Sequence, residues 1–161
     1  MKMTLLTISL FWSCFVALGQ SSYQKYCNTR FQFCIEYPSN FKAQPESANG
    51  DGCVIISNDG KSEIRTYGSL ENEETNNLTQ ELQYAEKESK ITYKIVCKNY
   101  FIISGTNKEG MIFYRKTVVA QLKDYFNSGP AKVLQTLTIT YPKSQIKQYE
   151  DYCSKISKAL L

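Results

Sequence analysis

Chemistry at a protein site needs particular side chains at particular spacings, and one of them is missing from this chain altogether. The sequence contains no histidine, which removes the commonest general base, the usual activator of a serine or cysteine nucleophile and the commonest zinc ligand. A histidine-free hydrolase would have to use paired carboxylates, and the candidates are Glu36 and Asp51. Each residue has a simpler role, Glu36 as a solvated strand residue and Asp51 as a turn residue bonding its own backbone. Ser144-Gln145-Ile146-Lys147 has the serine and lysine spacing of one acyl-transfer family but lacks its companion motifs, and Ser144 stands where a helix needs a cap. Asn49-Gly50-Asp51-Gly52 and Asn58-Asp59-Gly60 invite comparison with calcium loops, yet neither run reaches the required ligand count and hairpin turns account for both. Neither a catalytic residue, a cofactor site nor a metal site is therefore assigned.

The cysteines and aromatics remain. No Cys-x-x-Cys pair is present, so thiol redox chemistry has no motif to support it. Five cysteines follow the first nineteen residues: Cys27, Cys34, Cys53, Cys97 and Cys153. An odd set allows at most two bridges, and five choices of free residue times three connectivities leave fifteen pairings open. Cys97 shares an alternating pattern with Ile91, Tyr93 and Ile95, and Cys153 lies on a helical stripe, so the two could pair. Cys34 could meet Cys53 on a neighbouring strand, or Cys27 folding back onto it. Unpaired buried thiols are the other reading of Cys97 and Cys153. Among the twelve tyrosines and eight phenylalanines, most fall at inward strand positions. Tyr125 and Phe126 instead sit together in a loop, where adjacent aromatics can anchor a protein partner or stack on a sugar; Tyr67 and Tyr84 would extend a tyrosine-rich surface. Asn77-Leu78-Thr79 is a formal glycosylation sequon.

The elements that must carry these residues follow from periodicity. Lys2 and an apolar run from Leu5 to Leu18 predict a secretory signal peptide over 1–19 and a single domain over 20–161. A lipid anchor at Cys14 is the alternative, with bulky Phe11 and Trp12 against it. No membrane span is expected after the signal is removed. Without Lys2, eighteen basic residues face fifteen acidic ones, a balance that supports solubility and gives no nucleic-acid footprint.

Phe31, Phe33, Ile35 and Tyr37 alternate with Arg30, Gln32, Cys34 and Glu36, which predicts a half-buried strand ending at Pro38. The two glycine-bearing turns then frame strands at Val54–Ser57 and Ser62–Tyr67, with Gly68 ending the latter. Residues 69–76 are expected as a mobile surface loop. Asn77 and Gln80 form a capping box for a helix carrying Leu78, Leu82, Ala85 and Ser89 on a thin stripe, fit for a sheet edge. Strands from Ile91 to Cys97 and Tyr100 to Thr106 form a hairpin, followed by Met111 to Ala120 covered on both faces. After a loop at 124–130 comes a strand to Tyr141, closed by Pro142. Ile146, Tyr149, Cys153, Ile156 and Leu160 mark a last amphipathic helix.

Taken in order, Arg30-Phe31-Gln32-Phe33, Tyr37-Pro38, Asn49-Gly50-Asp51-Gly52, Asp59-Gly60, Ile103-Ser104-Gly105, Phe113-Tyr114 with Lys116, and Tyr141-Pro142 resemble small secreted bacterial proteins of the PsbP/Mog1-like fold. The resemblance implies an α+β chain forming an α/β/α sandwich around a central, mostly antiparallel sheet of six to seven strands. It also implies a non-enzymatic binding or assembly protein, secreted or periplasmic, whose partner is an envelope or secreted protein. The alternatives are the histidine-free hydrolase and a carbohydrate or small-ligand module with a tyrosine-rich surface.

Overall fold

The computed structural model describes residues 22–160. The expected signal peptide over 1–19 and the alternative lipid site at Cys14 lie outside the described residues. The chain runs β1 (Tyr23–Asn28), β2 (Phe33–Pro38), β3 (Phe41–Ala43), β4 (Gly52–Ser57), β5 (Glu63–Leu70), α1 (Leu78–Glu88), β6 (Ser89–Val96), β7 (Tyr100–Asn107), β8 (Ile112–Leu122), β9 (Ala131–Tyr141), a 3-10 turn (Lys143–Gln145) and α2 (Ile146–Lys158). A seven-stranded sheet has the order β3-β4-β5-β9-β8-β7-β6, and β1 and β2 pair separately. Every pairing is antiparallel.

The alternation from Phe31 to Tyr37 is present, with Phe31, Phe33, Ile35 and Tyr37 buried and Gln32, Cys34 and Glu36 exposed. An alternating strand followed by two tight turns and two further strands reads as the start of one sheet, but this strand does not seed the large sheet: β2 pairs only with β1, a strand whose sequence shows no alternation. Pro38 ends the ladder opposite Tyr23, as a residue without an amide proton must. The β1–β2 hairpin and α2 cover one face of the sheet: Tyr23 stacks on Tyr152 and the Tyr152 hydroxyl donates to the Glu36 carbonyl at 2.8 Å. Ile55, Ile64, Leu137 and Ile139 meet them there as core.

The opposite face is covered by α1, whose Leu78, Leu82 and Ala85 pack on Phe101, Ile103 and Phe113. Asn77 caps α1 with its Oδ1 accepting from the Gln80 amide while the Gln80 side chain accepts from the Asn77 amide, the reciprocal pair the sequence predicts. Helices on both faces of one antiparallel sheet make an α/β/α sandwich.

Four expectations are corrected. Gly68 does not end β5, which continues to Leu70; the ring of Phe31 lies against Gly68, where a Cβ would come within 2.3 Å of the ring. Residues 72–76 form no unstructured loop, since Asn72 and Asn76 bridge and Asn72 Oδ1 accepts from the amides of Glu74 and Thr75. Ser144 does not cap α2; it lies in the preceding 3-10 turn, and Gln145 at the cap position makes no side-chain capping bond. Ile146 accordingly faces water, 46% exposed.

The fourth concerns β6. A bulge shifts its register between Ile91 and Tyr93, so Ile91 packs with the α1 cluster while Tyr93 turns to the other face and stacks on Tyr114. One inserted residue reverses every later side chain. Cys97, just past the end of edge strand β6, is exposed and unpaired among the described residues. Cys153 also stays free, its thiol 3.6 Å from the Tyr141 hydroxyl and pushed up in pKa by burial. Cys53 is a buried free thiol. Among the described residues one disulfide forms, joining Cys27 to Cys34 across the β1–β2 hairpin.

Candidate functional site

The loop between β8 and β9 begins where Leu122 pairs with Ala131, leaving residues 123–130 to reverse the chain. Asp124 organises it, with one carboxylate oxygen accepting from the Asn127 amide at 3.0 Å and the other from the Gly129 amide at 2.9 Å. The Tyr125 amide donates to the Gly129 carbonyl at 2.8 Å, and the Ser128 amide to the Tyr125 carbonyl at 3.0 Å. This network holds Phe126 and Asn127 at φ of 52° and 60°, the left-handed region that costs an ordinary residue about 1–2 kcal/mol.

Tyr125 and Phe126 then have different fates. Tyr125 is half-buried: its ring packs on Phe31 at 5.9 Å, and its hydroxyl accepts from Arg30 Nε at 2.9 Å. Arg30 lies over the Phe31 ring, 5.1 Å from its centroid, and also donates to the Asn49 carbonyl. Gln32 donates from Nε2 to the Asp124 carbonyl at 2.8 Å. Phe126, packed edge-on to Tyr125 at 5.0 Å, is 64% exposed. The result is a large apolar side chain held out into water on a fixed base.

Beside this loop lies an open groove of about 790 Å³ at the end of β8. Gln32, Lys98, Asn99, Tyr100, Lys123 and Leu160 are among its lining residues, and no carboxylate among the described residues lines it. Such a surface binds through contact area and cationic rim charges.

The remaining candidates are scattered. Glu36 lines a cleft of about 430 Å³ with Lys25 and Lys155, while Asp51 lines a different one with Cys53 and Tyr67. Glu36 is paired with Lys155 at 3.3 Å. Asp51 accepts from Ser47 and from Asn49 Nδ2 within its own turn. The structure thus does not bring the carboxylate pair together. Asp59 accepts from Ser57 Oγ, the Lys61 amide and Gln145 Nε2, and these bonds, that of Ser57 foremost, hold its carboxyl below the usual carboxylate range. No group of three or more potential metal ligands occurs among the described residues. Ser144 and Lys147 are exposed and share no hydrogen bond among the described residues. Tyr84 stands 64% exposed on α1 and Tyr67 half-buried on β5, and neither makes a ring contact with Tyr125 or Phe126 among the described residues.

Arg30 and Gln32, which anchor the loop, carry no sequence signal for that role. They lie 95 and 92 residues from their partners.

No family model and no curated protein sequence matches the chain. Among solved structures it is similar to the solution structure of cyanobacterial PsbP (CyanoP) from Synechocystis sp. PCC 6803, with a TM-score of 0.52 and 12% identity. The match covers 92% of this chain and 96% of that one. The fold is therefore PsbP-like, and at that identity the likeness concerns fold alone.

Proposed function

We propose that this is an exported, non-catalytic protein that supports assembly or binding in the cell envelope, meeting a protein partner through Phe126 and the adjoining groove. The observation that carries this reading is Phe126 itself. A phenylalanine exposed to water on a backbone conformation it disfavours persists only because Asp124, Tyr125 and Arg30 hold it there, and rigid aromatic anchors are what protein interfaces use as hot spots. Export is supported by the solvent-exposed Cys27–Cys34 disulfide, a bond that persists outside reducing compartments. No helix among the described residues is long and apolar enough to cross a membrane. The separation of Glu36 from Asp51 into different clefts gives the hydrolase reading no geometry to stand on.

The test is capture of partners by the tagged mature protein from an envelope extract, with Phe126→Ala and Phe126→Asp run beside Tyr84→Ala. One partner should be lost with both Phe126 variants and kept with Tyr84→Ala, while thermal melting stays unchanged. Recovery of the protein alone, or of the same partner with Phe126→Asp, overturns the reading.

A further inference from the structure

At the far end of β8 from the aromatic loop, four lysines that are scattered through the sequence converge on one groove of about 500 Å³. Lys87 comes from the last turn of α1, Lys90 from the start of β6, Lys108 from the β7–β8 turn and Lys143 from the 3-10 turn after β9. Among the described residues a single carboxylate, Glu88, lines the same groove, and it is paired with Lys108. Lys87, Lys90 and Lys143 have no ion-pair partner among the described residues. Ser89, Thr106 and Asn107 also line it. The Asn107 side chain spends its oxygen on the Met111 amide at 2.9 Å. The Ser89 and Thr106 hydroxyls and the Asn107 amide protons are left without partners among the described residues.

We infer that this groove is a binding site for a soluble anion carrying two or more phosphate or sulfate groups. Three ammonium groups without an ion-pair partner among the described residues line one open groove with hydroxyl and amide donors that otherwise meet only water, and the ligand that satisfies such a set is acceptor-rich and multiply negative. A singly charged ion would leave most of the lysines unpaired, and an apolar ligand would strand the donors. The carbonyl end of α1 opposes an anion here, and Lys87 in that last turn offsets it. Glu109 lies at the tip of the β7–β8 turn and does not line the groove. Because the lysines stand around a concavity, the site suits a discrete ligand better than a flat lipid surface. It is separate from the Phe126 loop and stands or falls independently of it.

Sodium pyrophosphate is the probe, titrated into the labelled mature protein at low ionic strength and followed by amide chemical shifts, with sodium chloride at matched ionic strength as reference. Shifts should concentrate at Ser89, Thr106 and the Asn107 side chain. Lys90→Ala/Lys143→Ala, both exposed positions, should weaken binding roughly tenfold or more, the loss of two charge-assisted hydrogen bonds. Lys25→Ala/Lys158→Ala, in the cleft beside α2, should bind as the parent does. The proposal is overturned if pyrophosphate shifts no more than chloride does, if the two double variants weaken binding equally, or if the groove responds to phosphatidylglycerol vesicles and not to pyrophosphate.

Discussion

The ring of Phe31 rests on Gly68, and its carbonyl accepts from Gln135 Nε2 at 2.8 Å, so the turn between β1 and β2 is seated on the large sheet at one position. A methyl group at residue 68 would overlap the Phe31 ring, at 2.3 to 2.6 Å from its nearest atoms. Gly68→Ala should therefore cost about 1–3 kcal/mol, the usual penalty of overpacking, read as a lower urea midpoint at unchanged slope. Phe31→Leu in the same chain should recover part of that loss, and equal stability of Gly68→Ala and the parent would show that the ring can move aside. Lys116 illustrates the same scale differently. Only 1% exposed, it has no carboxylate partner among the described residues, and its ammonium donates to the carbonyls of Ser157 at 3.0 Å and Ala159 at 2.7 Å. It caps the carbonyl end of α2 from beneath, and burial pulls its pKa down.

Among the elements, α1 depends most on its first turn. It is amphipathic along a thin stripe with Ala85 as its one buried residue, so little packing energy holds it and the capping box carries more of the burden. Asn77→Ala should cost about 1 kcal/mol and raise hydrogen exchange through the first turn of α1 before β9 is affected. Exchange that rises equally in β9 would mean α1 has no independent stability. The sequon at Asn77 is occupied by this same task, its Nδ2 donating to the Glu73 carbonyl at 2.7 Å. At the sheet edge, β6 combines its bulge with Lys90 and Lys94, devices that discourage further strand pairing.

The whole molecule should respond to alkali more sharply than to mild acid. Burial pushes the Tyr114 hydroxyl from its ordinary 10 up to about 12, and pushes those of Tyr141 and Tyr152 up as well. A raised value means the native state keeps a proton that the unfolded chain releases. Stability from Tyr114 is complete below pH 10 and falls as pH rises from 10 through about 12, and that from Tyr141 and Tyr152 is likewise lost only on the alkaline side of 10. The buried tyrosines should give their tyrosinate absorbance in one cooperative rise that coincides with loss of circular dichroism. A single rise near pH 10 with the fold intact would contradict the burial of these rings.

Period-two alternation, turn residues and capping pairs act over a few residues, and those features were legible: the buried face from Phe31 to Tyr37, the stops at Pro38 and Pro142, the Asn77–Gln80 box and the hairpin at Lys98-Asn99. The two helices on an antiparallel sheet followed from their order. What the sequence left open was decided by contacts between distant segments. The inserted residue in β6 turned Tyr93 to the other face, β1 claimed β2 as its partner and so matched Cys27 with Cys34, and the convergence of Lys87, Lys90, Lys108 and Lys143 exists only because four strand or helix ends share one edge of the sandwich. Local patterns are written by neighbouring residues along the chain. Pairing, register and the company a charged side chain keeps depend on which strands lie side by side, and that is fixed by the packing of the whole.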